Sequence, residues 1–386
     1  MGSVVVSEVN SSRDLSEFLE FVYDVQGGLP SFVPPLKVAV KDTLDVQKNP
    51  FFRHAYRALF LARKDGRVVG RIAAIIDDEH NRYHNERSAF FGFFECIDDT
   101  EVSRLLFDRV KLFALERGMI KILGPMNPST NHECGLLVEG FLDPPTVMNT
   151  YNPEYYGALV ESQGYTKAKD LLAYNLDSRK DQPSDRLMAH VEKLRQNGSV
   201  TFRPINVRRF DQEVATILEI YNDAWEKNWG FVPMNPSEFA HMAKDLKMIL
   251  DPELLLIAEV KGEPVGFGLA LPDVNQVLKK IKRGKLTLFS IGMLWIRLKV
   301  LPKRYSMNRC RILTLGVKRR FQQLGIGPLL YAEYFRRGPG NGYFSGEASW
   351  VLEDNVPMNR ALTQMSRGPC KRYRIYSLDL QPSDSV

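Results

Sequence analysis

Cysteine is scarce in this chain: Cys96, Cys134, Cys310 and Cys370 are scattered through 386 residues, with no C-x-x-C pair. The spacing argues against a disulfide framework and against a zinc site, so no metal is expected and a reducing cytoplasm fits. No apolar run reaches the roughly twenty residues that a membrane-spanning helix needs. The segment 286–300 (LTLFSIGMLWIRLKV) has fifteen positions and includes Arg297 and Lys299. The opening Met1-Gly-Ser-Val-Val-Val-Ser lacks a basic start and a long apolar core, so no signal peptide is expected. Val6 stands where a myristoylation signal carries Ser or Thr. Acidic side chains are missing between Val274 and Ala332, a stretch with fourteen Lys and Arg, so a chain of net charge +6 carries −8 elsewhere. Such a block is either a solvated face or an anion-attracting surface. No helix-turn-helix or RNP-like pattern accompanies it, and no nucleic-acid partner is expected.

What is present is an ordinary globular composition, 44% hydrophobic and 25% charged. Periodicity divides it into two similar halves. The first begins with a strand at Val4–Val9 and a helix carrying Leu15, Phe18, Leu19 and Val22. A hairpin follows around Asp65-Gly66, then a strand at Ala89–Glu95, a helix at Glu101–Arg117 and a strand at Ile120–Leu123. The second repeats the order with helices at Val214–Lys227 and Pro236–Ile249, a hairpin around Lys261-Gly262 and the strand Ile312–Val317. It ends with a helix to about Arg336, a strand at Tyr343–Leu352, a helix at Met358–Met365 and a strand at Tyr373–Leu380. A helical linker, Gln182–Gln196, is expected between the halves. The order implies an α/β (α+β) mixed-sheet architecture in tandem.

The strand Ile312–Val317 runs into Gln322-Gln-Leu-Gly-Ile-Gly327 and then Pro328-Leu-Leu. A strand, a glycine-containing turn and a helix start converge backbone N–H groups at the positive end of the helix, which suits a pyrophosphate. Pro328 fits the first helical position, where a missing N–H costs nothing. The third glycine of a dinucleotide fingerprint is absent, which argues against a Rossmann site. In the first half the strand runs through Ile97-Asp-Asp-Thr100 into its helix. Asp98 and Asp99 suit a helix cap and repel phosphate, so only the second half is expected to bind such a group.

Gln-x-x-Gly-x-Gly after a strand ending in Val resembles the acyl-CoA pyrophosphate loop of the GCN5-related N-acyltransferases (GNAT). Over nearly its full length the chain also resembles the bacterial ceramide synthase-like proteins, the YghO-like group. The residues that carry this are Asn49-Pro-Phe-Phe52, Gly70-Arg-Ile-Ala-Ala74, Phe90-Phe-Gly-Phe-Phe-Glu95, Gly124-Pro-Met-Asn-Pro-Ser-Thr-Asn-His-Glu-Cys-Gly135, Trp350-Val-Leu-Glu-Asp-Asn355, Met358-Asn-Arg360 and Lys371-Arg-Tyr373. The resemblance implies tandem GNAT-like folds: a degenerate domain at 1–178, a helical linker at 179–199, and an acyl-CoA-binding domain at 200–386. It implies transfer of an acyl group from acyl-CoA to an amine, a long-chain sphingoid base among the candidates. The alternative is a non-catalytic acyl-CoA or lipid sensor. The chain departs from the group's pattern at 336–342 and 366–370, both rich in glycine and proline, where the last strand pairing is open.

Leu315, Gly316 and Val317 would present the strand end whose backbone N–H groups polarise the thioester. Gln322, Gln323, Leu324, Gly325, Ile326 and Gly327 would hold the pyrophosphate. Glu353 and Glu347 are the candidate general bases, since acyl transfer to an amine needs a group to take its proton. Asn355 is either a cofactor contact or a helix cap. Asn127, Asn131, His132 and Glu133 in the polar loop, with Tyr151, are substrate-facing candidates; Asn- and Ser-rich loops also satisfy their own backbone. The segment 279–304 is either a helix buried between the halves or an element lying on an anionic membrane surface, which would place the protein peripherally on the inner face.

Overall fold

The computed structural model describes residues 2–181 and 200–381, with 183, 185, 188–189 and 192–193 between them. The expected linker helix falls largely outside the described residues. The chain forms two compact units. Unit one is Met1–Leu171, Leu278–Leu286 and Lys371–Val386; unit two is Leu172–Val277 and Thr287–Cys370. The units therefore interleave along the chain, where a linear division at 178 and 200 is expected.

In unit one, β1 (Val4–Glu8), β2 (Ala55–Lys64), β3 (Arg67–Asp77) and β4 (Ser88–Cys96) pair antiparallel in sequence order, and β5 (Lys121–Gly124) runs parallel to β4. Asp65 and Gly66 have φ of 50° and 76°, the two positive values of a type I′ hairpin. The helix Ser12–Gln26 starts at Ser11, whose side chain accepts the Asp14 N–H, and buries Phe18, Leu19 and Val22. The helix Thr100–Leu115 is capped by Asp99, which accepts from Glu101 and Val102. Its Val102, Leu106 and Val110 enter a core with Phe91, Ile122 and Tyr156. The chain's last strand, Pro369–Asp379, lies antiparallel to β5, with Tyr376 opposite Gly124. The unusual turn before it is closed by Ser366, whose hydroxyl donates to the Leu362 carbonyl and accepts the Gly368 N–H.

The basic segment Leu278–Leu286 is held within unit one. Arg283 pairs with Asp24 at 2.7 Å and Glu20 at 3.0 Å, and Lys279 donates to the Pro30 carbonyl at 2.9 Å. This part of the charge block is neutralised by acids more than 250 positions earlier in the chain.

β6 (Met126–Asn127), β7 (Glu133–Cys134) and β8 (Leu136–Glu139) belong to the polar loop and its exit, and β9 (Thr166–Asp177) carries the chain out of unit one. In unit two, β10 (Thr201–Pro204), β11 (Leu255–Val260), β12 (Glu263–Pro272) and β13 (Arg309–Val317) pair antiparallel in order. β14 (Ser345–Leu352) runs parallel to β13. Lys261 and Gly262, at φ 52° and 81°, repeat the type I′ turn. The helix Phe210–Trp225 packs Ile217 and Ile220 on Ile257 and Phe267. The helices Ile326–Arg337 and Val356–Met365 bury Leu329, Leu330, Leu362 and Met365 in a core with Leu256, Val265 and Ala348. Each unit thus has an antiparallel hairpin leading into a parallel strand pair joined by a helix. This is the tandem arrangement that the order of elements predicts.

The helix Leu288–Trp295 and its continuation Ile296–Val300 lie on the surface, with Leu288 91% and Phe289 82% exposed. Within unit two this helix is not a buried one.

Candidate active site

The site in unit two is built on the end of β13. The strand leaves the sheet at Val317, and residues Arg319–Leu324 make a short 3₁₀ turn. Gly325 then adopts φ 70°, ψ 24° and starts the helix Ile326–Arg337, so Pro328 is its third residue and not the first, still a position whose N–H has no helical partner. That left-handed conformation is why Gly325 is a glycine. Gly327 is different. A Cβ there would touch only the Leu315 side chain at 3.6 Å, so the fold itself does not demand glycine. The first helical turn carries no acid, and its leading N–H groups have no partner within the helix. Gln322 ties the turn down by donating to the Val317 carbonyl at 3.3 Å.

The cations ahead of the glycines are occupied. Lys318 pairs with Glu219 at 2.6 Å, Arg319 with Asp223 at 3.4 Å and with Glu226, and Arg320 with Glu263. The expected anion-attracting field is reduced here because acids from the helix Phe210–Trp225, from Glu226 just beyond it and from β12 sit against it. Attraction at this point rests on backbone N–H groups and the helix dipole.

β13 and β14 are paired only from Arg309–Ile312 against Ser345–Ala348, while β13 continues to Val317 and β14 to Leu352. The strands part beyond Ile312. Opposite β12, the register jumps from Ile312–Ala270 to Thr314–Leu269, leaving Leu313 as the extra residue of a bulge. The bulge lies at Leu313, ahead of the expected Leu315–Val317, and turns backbone groups out of the ladder. The Thr314 hydroxyl is buried there with no hydrogen-bond partner. A chain with an amide and a thioester can enter between parted strands and take up such groups. The residues fit an acyl-CoA with its pyrophosphate on the Gly325–Gly327 turn. Leu315 and Val317 flank this slot. Gly316 has another reason: a Cβ would lie 2.1 Å from the Trp225 ring, so it serves helix packing.

Glu347 is completely buried. It accepts from Arg309 at 3.1 Å and from the Ser349 hydroxyl at 3.0 Å, in the part of β14 still hydrogen-bonded to β13. An amine cannot reach it, so it acts as the buried counter-ion of Arg309. Glu353 sits one residue beyond β14, half-buried, at the carboxyl end of the strands. Asn355 caps the helix Val356–Met365 by accepting the Met358 N–H, the capping alternative of its two expected roles. Asn359, from that helix, donates to the carbonyls of Leu352 at 2.9 Å and Glu353 at 3.0 Å and accepts from the Tyr174 hydroxyl at 3.0 Å. It fixes the backbone that carries Glu353. Sequence reasoning marked Met358-Asn-Arg360 but gave Asn359 no role, and Tyr174 carried no local signal. It also missed Arg311, fully buried, which donates to Ser349 and stacks 4.7 Å from the Trp350 ring centroid.

Unit one has the same strand geometry with the opposite outcome. β4 bulges at Phe93, whose φ is 49°, and the Phe93 N–H donates to the Asn127 side-chain oxygen at 2.6 Å. A Cβ on Gly92 would fall 1.8 Å from the Met126 carbonyl oxygen. The chain's own β6 therefore fills the space beside this bulge, and Asn127 is a structural plug where a substrate contact was expected. The rest of the loop largely satisfies itself. The Ser129 hydroxyl lies 2.8 Å from His132 Nδ1 and accepts the Asn131 N–H at 3.2 Å. Glu133 pairs with Asn127 across the β6–β7 ladder. Tyr151 donates to the Phe141 carbonyl at 3.2 Å beside Val22 and Phe32, and burial pushes its hydroxyl pKa up. These five residues lie in unit one, and the glycine turn lies in unit two. A cleft of about 550 Å³ in unit one, bordered by Ser88 and Lys121, opens at the amino ends of β4 and β5, opposite to where α/β sheets bind ligands.

Comparison with known proteins agrees with this geometry. The Acetyltransferase (GNAT) family profile matches residues 214–365. The chain is 37% identical to the bacterial ceramide synthase of Caulobacter vibrioides (strain NA1000 / CB15N), covering 96% of each. It is 35% identical to protein YghO of Escherichia coli (strain K12), covering 95% of this chain and 93% of that one. Among solved structures, a tandem GNAT protein from the clavulanic acid biosynthesis pathway superposes with a TM-score of 0.56 at 13% identity, over 98% of this chain and 99% of that one, a likeness of fold. With a GNAT-type strand–turn–helix in unit two and full-length relatives of this kind, the chain belongs to the acetyltransferase (GNAT) family, in its bacterial ceramide synthase-like, YghO-like group, and is an acyltransferase.

Proposed function

We propose that unit two transfers a fatty acyl group from acyl-CoA to the amine of a long-chain sphingoid base. The observation that carries the reading is the parting of β13 and β14 directly beside the Gly325–Gly327 turn. The name of the Caulobacter relative supports the acceptor class. In this mechanism the pyrophosphate sits at the start of the helix Ile326–Arg337, and backbone N–H groups around the Leu313 bulge polarise the thioester carbonyl. Glu353 takes a proton from the attacking amine, the C–N bond forms, and the C–S bond breaks. The CoA thiolate leaves and takes up a proton from water.

Gly327→Glu tests the donor site, because the added side chain meets little of the protein but points a carboxylate at the phosphates. Calorimetry with a long-chain acyl-CoA is expected to show affinity falling by roughly a hundredfold, with the melting temperature unchanged. Undiminished binding would refute the assignment. Mass spectrometry of the wild type with acyl-CoA and sphingoid bases tests the acceptor. Binding without turnover on any amine would favour the sensor reading.

A further inference from the structure

Eight of the twenty-two large hydrophobic side chains exposed among the described residues fall between 288 and 305. The helix Leu288–Trp295 and its continuation Ile296–Val300 bury only Ser290, which is taken up in a capping box with Thr287. Leu288, Phe289, Ile291 and Trp295 face solvent from the helix, and Val300 and Tyr305 follow it; Trp295 is 61% exposed. A soluble surface does not ordinarily collect this much apolar area in one place. Arg297, Lys299, Lys303 and Arg304 lie within the same segment, which contains no acid; Lys303 donates to the Leu298 carbonyl at 2.6 Å. The thirteen residues of the helix and its continuation span roughly 20 Å at 1.5 Å per residue, short of a bilayer's hydrocarbon core.

We infer that residues 288–305 form an in-plane anchor that docks this protein on an anionic lipid bilayer. Phe289 and Trp295 enter the acyl-chain boundary, and Arg297, Lys299 and Arg304 meet lipid phosphates. Charge complementarity selects the occupant: an apolar protein partner or a second copy gives no reason for four cations and no acid around the apolar patch. This is narrower than the stretch 279–304 expected from sequence, because Lys279 and Arg283 are engaged within unit one. The inference does not depend on the acyl-transfer reading, since its readout is binding.

The test is flotation with phosphatidylcholine vesicles made with and without phosphatidylglycerol. The wild type is expected to float with the anionic vesicles and to be released by high salt. Phe289→Glu with Trp295→Glu is expected to weaken binding at least about tenfold by removing buried apolar area. Arg297→Gln with Lys299→Gln is expected to weaken it roughly thirtyfold, at about a fivefold loss per charge. Circular dichroism checks that both variants stay folded; the changed side chains are on the surface. Vesicle binding that both variants retain overturns the proposal, as does a wild type that ignores anionic vesicles. Self-association that disappears in the Phe289→Glu, Trp295→Glu variant, without vesicle binding, would assign the patch to a second copy instead.

Discussion

Glu347 and Glu353 lie six residues apart on one strand and its exit, yet burial gives them different chemistry. Glu347 shields Arg309, itself mostly buried at 14% side-chain exposure, so Glu347→Gln strips a buried guanidinium of its counter-ion. Urea denaturation is expected to show a loss of about 3–5 kcal/mol. Glu353→Gln sits at a half-buried strand end and is expected to leave stability within about 0.5 kcal/mol of the wild type. Its kcat should fall by roughly 10²–10⁴-fold in the acyl-transfer assay. Retained turnover in that variant would remove Glu353 as the base. The two glycines of the turn divide similarly. Gly325 is held by its backbone angle and was legible from the motif. The freedom around Gly327 shows only when the neighbouring side chains are in place.

Elements formed largely where periodicity and turn chemistry put them, including both type I′ hairpins and the Asp99-capped helix. Their interruptions were harder to see. The bulges at Phe93 and Leu313 depend on what lies across the ladder. Asn127 looked like a substrate group because polar loops advertise themselves, whereas its oxygen serves the Phe93 N–H. Asn127→Ala is expected to cost about 1–3 kcal/mol by orphaning that donor, without changing acyl-CoA affinity in calorimetry. The short helix Asp78–His84 gives unit one a pH response. His80 is buried with its ring 4.5 Å from His84 and 4.9 Å from Phe90, and it faces Asp77 and Glu86. Burial, then the neighbouring His84, lowers its pKa to about 4 from 6.5. Below pH 6.5 the unfolded chain therefore takes up a proton that the folded one refuses. Stability contributed by His80 is lost as pH falls toward about 4, amounting to roughly 3 kcal/mol. Melting curves between pH 7 and 4 should show the decline, and His80→Gln should flatten much of it.

At the scale of the whole molecule, the last strand belongs to unit one although it follows unit two in sequence. Arg372 and Arg374 from it hold Asp170, which is 1% exposed: burial pushes that carboxyl up, but its bonds to Arg374, Lys167 and Arg372 outweigh this and keep it below the usual range. Tyr376 joins the unit-one core. A chain ending at residue 370 should therefore open unit one first. Hydrogen exchange is expected to lose protection at Phe91 and Ile122 while the helix Ile326–Arg337 stays protected; the reverse order would contradict the unit boundaries. Although it left β9 and the helix Asp78–His84 unmarked, the sequence by itself determined most of the strands and helices, both hairpins, the tandem order and the glycine turn. Those follow from side-chain periodicity, caps and backbone angles that act within a few residues. Only the tertiary structure decided which cations are neutralised, that Glu347 is buried, that Asn127 plugs the first strand bulge, and which unit takes the last strand. Each of these depends on groups tens to hundreds of positions apart, whose electrostatics and packing exist only once the chain has folded.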